Sequence, residues 1–290
     1  AANTILVSTE GAPKGSLNQD MAVWVSRDTI LWRGTGSPKY TYQLHYAPEG
    51  GMQITAAGIE GGTAVPLTFS VKGAGEQVYA KFPHLKGLST LKISEADLAN
   101  VPMMLRGQVA IAIFDDKPNL VDVPALQIPG VLHDLYPYTG ELGVAFSDGT
   151  PTLRLWAPTA NAVKLHLYPD ASSASSEQVA LTFDAATGVW SVTGEPDWKN
   201  QYYLYEVEVY VPSTGTVEKS LVTDPYSISL SMNSLRSQIV DMADPDLQPI
   251  DWLSLEKPPL EAFEDSVIYE LHLRDFSVSD PSVPEELRGT

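Results

Sequence analysis

Short runs of alternating apolar and polar residues dominate the chain. Tyr40-Thr41-Tyr42-Gln43-Leu44-His45-Tyr46 alternates, as do Arg106 to Phe114 and Leu153-Arg154-Leu155-Trp156. In Val163-Lys164-Leu165-His166-Leu167-Tyr168, Val163, Leu165 and Leu167 share one face. From Tyr203 to Tyr210, Tyr203, Tyr205, Val207 and Val209 share one face, and Leu204, Glu206 and Glu208 the other. A period of two over short lengths predicts half-buried antiparallel strands. Glu49-Gly50-Gly51, Ser147-Asp148-Gly149 and Ala186-Thr187-Gly188 supply turns between them. Several such strands at regular spacing predict β-sandwiches. Helix signals are few. Ser94 to Asn100 reads as one or two turns, with Ser94 as cap, Asp97 three residues on, and Pro102 as the stop.

Two breaks divide this pattern. Ile128-Pro129-Gly130, followed by Leu135-Tyr136-Pro137-Tyr138-Thr139-Gly140, cannot continue a ladder. The second break is the Pro- and acid-rich stretch from Asp244-Pro245 to Pro258-Pro259. The expected organisation is a flexible segment over 1–19, Ig-like sandwiches over 20–128 and 129–243, a linker over 244–264, and a further element over 265–290. In that last element Val267-Ile268-Tyr269-Glu270-Leu271-His272-Leu273-Arg274-Asp275-Phe276-Ser277 reads as a buried strand, with polar residues gathered at its C-terminal end. Such a strand needs neighbours on both sides. Its isolation suggests the front part of a longer protein.

Composition narrows the class. The 290 residues are 43% hydrophobic, as in ordinary globular proteins, and allow about two domains. No apolar run reaches 18 residues, so no membrane span is expected. A net charge of −18 argues against nucleic acid and anionic membranes as partners, because both need clustered Lys and Arg. The absence of cysteine excludes a disulfide scaffold and any thiolate metal site. Ala1-Ala2-Asn3-Thr4 has neither a charged n-region nor an apolar h-region, so any export signal is expected to be already removed or never present.

Candidate chemistry is sparse. Phosphate-binding glycine loops, H-E-x-x-H and G-x-S-x-G are missing. Five histidines (His45, His84, His133, His166, His272) show no ligand spacing and read as strand-face or surface residues. Asp115-Asp116 reads as a solvated turn. Among six tryptophans, Trp24 and Trp32 lie in apolar runs, and Trp156 and Trp190 alternate with strand residues; all four read as core. Trp198 and Trp252 sit in polar stretches and are the candidates for stacking on sugar rings or for a domain interface. No catalytic residue, metal ligand or cofactor site is identifiable.

Several segments together resemble one family. Tyr269-Glu270-Leu271-His272-Leu273-Arg274-Asp275-Phe276-Ser277 is similar to the first barrel strand of type I pullulanases and limit dextrinases of the α-amylase superfamily. Leu153-Arg154-Leu155-Trp156-Ala157-Pro158-Thr159-Ala160, Gly188-Val189-Trp190, Tyr202 to Val207 and Thr223-Asp224-Pro225-Tyr226 resemble the family-48 carbohydrate-binding module that precedes that barrel. Trp24-Val25 to Leu31-Trp32 and Lys81-Phe82-Pro83-His84-Leu85 resemble the N-terminal β domain of the same enzymes.

The resemblance implies a mainly β region of two tandem sandwiches followed by the first strand of a truncated (β/α)8 barrel. The parent would be a retaining debranching hydrolase for α-1,6 bonds in pullulan, amylopectin and limit dextrins, with two carboxylates about 5 Å apart. Those carboxylates would lie beyond Thr290, so this chain is expected to be inactive. Its implied partners are α-glucans and its own catalytic barrel. Calcium in the parent, and an extracellular or bacterial cell-surface location with a plastid as the other family setting, are also implied. One departure stands out. Leu204 occupies the position where glucan-binding modules of this class carry a Lys, and Pro169-Asp170-Ala171-Ser172-Ser173 lacks a Trp. That shifts the expected work of the module toward packing on the barrel. The competing readings are a stand-alone glucan-binding adaptor and a fragment of an isoamylase or branching enzyme.

Overall fold

The structure is a computed structural model describing residues 15–290. Of the flexible segment expected over 1–19, residues 1–14 lie outside the described residues, and from Ser16 the chain is already strand. The chain up to Asp241 forms one compact unit, and Met242–Thr290 forms a second.

Ten strands build the first half of the larger unit. They are β1 (Ser16–Ser26), β2 (Thr29–Trp32), β3 (Thr41–Ala47), β4 (Gln53–Thr55), β5 (Gly58–Glu60), β6 (Thr63–Ser70), β7 (Ser89–Ile93), β8 (Gln108–Phe114), β9 (Leu120–Asp122) and β10 (Pro124–Gln127). Eight of them form one sheet in the order β10-β1-β2-β7-β6-β3-β8-β9, and β4 and β5 form a separate hairpin. The sheet returns on itself, because β10 also pairs with β8 through Ala125 opposite Ala110. The expected sandwich is therefore a single sheet curled until its ends meet. Register shifts in β1 between Ser16 and Asp20, and between Asp20 and Ala22, give the strand the local bend that such curling requires.

Alternation places Ala22, Trp24, Ile30, Trp32, Leu44, Ile111 and Ile113 in the enclosed core. Trp24 and Trp32 thus lie where their apolar runs place them. Trp32 keeps its indole N–H satisfied by donating to Asp122 Oδ2 at 3.1 Å. All four residues of β2 are buried. Its outward Leu31 packs with Val25 and Leu85, beneath a short helix α1 (Glu76–Lys81) whose Val78 joins the same cluster.

The expected turns at Ser94 to Asn100 form a 3-10 helix over Glu95–Asn100, but Pro102 does not stop it. Pro102 instead occupies the first turn of α2 (Val101–Met104), where a missing N–H costs nothing. At Ile128-Pro129-Gly130 the ladder ends as expected, with β10 stopping at Gln127. Pro129 opens α3 (Pro129–Leu135), and its fully buried Val131 completes the first core. Gly130 makes that seating possible. A Cβ there would stand 2.8 Å from the Trp24 carbonyl oxygen. The second sandwich therefore begins after α3.

That sandwich has two sheets. One carries β11 (Gly143–Ser147), β12 (Thr150–Trp156), β15 (Thr182–Asp184) and β16 (Val189–Thr193) in the order β11-β12-β16-β15. The other carries β13 (Ala162–Tyr168), β14 (Glu177–Ala180), β17 (Tyr202–Val211) and β18 (Thr216–Val222) in the order β14-β13-β17-β18, with β19 (Ser237–Gln238) also paired to β17. Asp148-Gly149, both at positive φ, make the two-residue turn between β11 and β12 that Ser147-Asp148-Gly149 predicted. Leu153, Leu155, Val163, Leu165, Leu167, Trp190, Tyr203 and Tyr205 fill the space between the sheets.

The second unit contains short 3-10 turns and one helix, α4 (Leu273–Ser277). The strand expected over Val267 to Ser277 is not formed: Val267 to His272 is extended without a ladder, and Leu273 onward is helical. Val267 and Ile268 are 95% and 90% exposed. The reason is the one their pattern implied. A strand is held by neighbours, and none of the described residues pairs with this one. His272 Nδ1 instead accepts the Asp275 N–H at 3.2 Å and starts the helical turn.

If α3 belongs to the first core, Val131→Ala should lower stability by about 2 kcal/mol, the transfer and cavity cost of two buried methyls. Urea unfolding followed by tryptophan fluorescence checks it. A shift indistinguishable from zero would place α3 outside the core.

Candidate functional site

The outer face of the sheet β14-β13-β17-β18 carries the densest set of polar side chains in the second sandwich. Strand alternation sends Val163, Leu165 and Leu167 inward and leaves Lys164, His166 and Tyr168 outward. On β17 it sends Tyr203 and Tyr205 inward and Leu204, Glu206 and Glu208 outward. Glu206 is the hub. Its Oε2 lies 3.0 Å from His166 Nε2 and its Oε1 3.7 Å from Lys164 Nζ. His166 Nδ1 in turn lies 3.2 Å from Ser176 Oγ. His166 was expected as a strand-face residue and is one, but these contacts bury it. Lys219 pairs with Glu208 at 3.1 Å on the neighbouring strand. Partly exposed pairs of this kind contribute little stability, and they occupy the donors that a sugar would otherwise use. Leu204 stands opposite His166 in the β13–β17 register, an apolar position within the ion-paired face.

At one end of this face Arg236 lies over the Tyr168 ring, 3.6 Å from its centroid. The same guanidinium donates to the carbonyls of Asp170 at 2.8 Å and Ser173 at 2.6 Å. It therefore closes the 170–173 loop onto the sheet. Asp170 is held well below the usual carboxylate range, chiefly by the Ser173 hydroxyl and by the backbone N–H of Ser172. The loop is thus folded around its own carboxylate.

Behind the sheet lies a buried polar anchor. Tyr203 donates its hydroxyl to Asp224 Oδ2 at 2.7 Å, and the Tyr226 N–H donates to Oδ1 at 2.8 Å. The Asp224 N–H donates to Ser237 Oγ at 2.9 Å. Burial pushes the Asp224 carboxyl up, with its hydrogen bonds opposing. Burial and the neighbouring Tyr205 and Asp224 push Tyr203 far up in the same way. The Tyr205 hydroxyl makes no well-formed hydrogen bond. Thr223-Asp224-Pro225-Tyr226 is thereby pinned against β17. Periodicity read Tyr203 and Tyr205 as apolar strand residues, which they are along the ring. The hydroxyl partner comes from 21 residues on and has no local signal.

The tryptophans divide differently from the expectation. Trp190 is core, as its alternation predicts. Trp156 is not: it faces away from Leu153 and Leu155, as the parity of β12 requires. It stacks on His133 of α3 with ring centroids 5.3 Å apart, and its indole N–H donates to the Tyr136 carbonyl at 3.2 Å. Arg106 over the Phe183 ring at 4.7 Å makes a second such contact between the halves. Trp198, a candidate for sugar stacking or for a domain interface, is buried. It is 8% exposed in the second core, seated over Gly194, where any Cβ would strike the indole. A polar flank concealed it, because the 3-10 turn Pro196–Trp198 folds the ring inward. Trp252 is 56% exposed, on a 3-10 turn of the second unit.

The remaining groups are structural. Asp115 accepts from the backbone N–H groups of Lys117 and Asn119, as a turn aspartate should. His45 is buried, and burial pushes its pKa down. Among the described residues, no cluster of three or more His, Asp or Glu is placed to hold a metal ion.

The larger unit thus holds a curled-sheet domain followed by a small two-sheet sandwich whose outward Glu206 and Glu208 are ion-paired. Residues 19–134 match the family described as Pullulanase N2 domain, and residues 141–227 match Carbohydrate-binding module 48 (Isoamylase N-terminal domain). Over these residues the chain is similar to the N-terminal region of the pullulanases. It is 36% identical over 274 residues to the chloroplastic Pullulanase 1 of Arabidopsis thaliana, covering 92% of this chain and 28% of that protein. It is 37% identical over 279 residues to the pullulanase of Klebsiella pneumoniae, covering 92% and 25%. The apo crystal structure of the Klebsiella pneumoniae enzyme superposes with a TM-score of 0.80 at 33% identity, over 94% of this chain and 30% of that one. A maltotriose complex of PulA from the same organism gives 0.81 at 33% identity, over 95% and 30%. The chain thus spans between a quarter and a third of the length of these relatives.

Two outcomes test the anchor. Tyr203→Phe leaves the buried carboxylate short of a donor and should cost about 1–3 kcal/mol in chemical unfolding. A raised folded pKa means that Asp224 favours the fold below its unfolded value of 3.8 and penalises it as pH rises through the folded value. Asp224→Asn should therefore gain stability relative to the parent chain as pH climbs from about 4 toward neutrality. A parallel pair of stability curves across that window would contradict the assignment.

Proposed function

We propose that this chain is the accessory front of a starch-debranching hydrolase that cleaves α-1,6-glucosidic bonds in pullulan, amylopectin and limit dextrins. The observation that carries the reading is the order of the two modules along residues 19–227, a Pullulanase N2 domain followed by carbohydrate-binding module 48, within chains identified as pullulanases. Residues 129–243 then correspond to the module with the preceding helix, residues 244–264 to a linker, and residues 265–290 to the opening of a catalytic barrel. Exposure of Val267, Ile268 and Tyr269 supports the last point, since a strand this apolar is built to be covered.

The partner of the module is that barrel, and its α-glucan is presented jointly with it. Ile228, Leu230, Met232 and Leu235 are exposed apolar residues along the outgoing chain of the second sandwich. They suit packing, whereas the ion-paired Glu206 face suits solvent. Trp252 is the aromatic residue we assign to sugar stacking, by its exposure; Trp198 is withdrawn from that role.

The purified chain should release no reducing sugar from pullulan, while the intact parent enzyme should yield maltotriose from it. Turnover by the chain alone, or a different product from the parent, would overturn the reading. In affinity electrophoresis through amylopectin the chain should be only weakly retarded. Trp252→Ala should lose most of that retardation, the loss of one stacking platform being worth about 1 kcal/mol.

A further inference from the structure

A cleft of about 530 Å³ opens on the first, curled sheet, far along the chain from the module. It lies between the β1–β2 turn, helix α1 and the end of α3. The volume falls inside the range of about 300–1,000 Å³ typical of small-molecule sites. Three carboxylates (Asp28, Glu76, Asp134) and two ammoniums (Lys81, Lys92) line it, with the amide of Gln77 beside them. Those charges nearly cancel, which disfavours a strongly anionic or cationic occupant. The set offers both donors and acceptors, and Val25, Val78 and Phe82 add an apolar wall. Mixed donors and acceptors over a small apolar surface match a neutral polyhydroxylated ligand.

Asp28 and Asp134 are also held in place before any ligand arrives. Asp28 receives the hydroxyls of Ser26 at 3.1 Å and Thr29 at 2.6 Å, and the Lys92 ammonium at 2.9 Å. Those three bonds occupy three of the roughly four lone-pair sites of a carboxylate and leave about one for a further donor. Asp134 is fixed by the Arg27 N–H, which donates to Oδ2 at 2.8 Å. The Lys81 ammonium rests over the Phe82 ring, 5.4 Å from its centroid. Side chains immobilised in this way bind a ligand without losing further rotamer freedom.

We infer that this cleft is a second saccharide site, on the first domain, that takes a short α-glucan. The polyol chemistry comes from the cleft itself; the choice of an α-linked glucan rests on the debranching reading above.

Amide chemical-shift mapping of the whole chain titrated with maltotriose tests the inference. Saturable shifts should appear at Arg27 to Thr29, Gly75 to Phe82 and Lys92. Glu76 and Gln77 are exposed on α1, so the double variant Glu76→Ala, Gln77→Ala should unfold at the parent temperature. It should weaken the dissociation constant read at those amides by about fivefold, the value of one lost hydrogen bond. Lys81→Ala, also exposed, provides an independent second variant. Shifts confined to residues 164–238, an affinity unchanged in both variants, or no saturable shift at all would overturn the cleft. None of those results would alter the products formed from pullulan by the parent enzyme, so the two readings fail separately.

Discussion

The seating of α3 against β1 is the contact on which the arrangement of the larger unit depends. Val131 fills the first core from a helix that the chain enters through Pro129, and Gly130 lets the helix backbone approach β1 closely. The same helix then offers His133 and Tyr136 to Trp156 of the second sandwich. One short helix is thus core to one domain and interface to the next. A linker of ordinary composition would leave two sandwiches free to rotate. Here the aromatic stack, the indole hydrogen bond and the Arg106–Phe183 contact fix them as one compact unit.

Rigidity has a function in an accessory region. A module that only gripped polysaccharide could hang on a flexible tether. The second sandwich instead carries an outer face whose Glu206 and Glu208 are already paired, and exposed apolar residues from Ile228 to Leu235. Its buried Asp224–Tyr203 anchor holds the chain leading to those residues. Such an investment in internal satisfaction is expected where a surface must present a fixed shape to a neighbour.

Strand alternation made most of the fold legible in the sequence. Leu153, Leu155, Val163, Leu165 and Leu167 could be assigned to the second core because each lies on the apolar parity of its strand. The failures share a cause: the deciding partner lies far along the chain. Trp156 belongs by parity to the outer face, where His133 of α3 stacks on it and leaves it half-buried. Trp198 has polar neighbours, yet Gly194 opens the room its ring occupies. Val267 to Leu271 carries a strand pattern in full, and no described strand is there to receive it. The cleft beside Asp28 draws on residues 25 to 134, and no local motif marks it.

The closure of the first sheet has one more consequence. Through Ala110 and Ala125 the ring removes the two free edges that an open sheet of this size would present, and leaves outside it only the three-residue β9. Unpaired strand edges are templates for other chains. Closing the first sheet removes that template from the first domain, so besides β9 and the β4–β5 hairpin the edges left for another chain in the larger unit are those of the second sandwich, β11 and β15 in one sheet and β14 and β18 in the other.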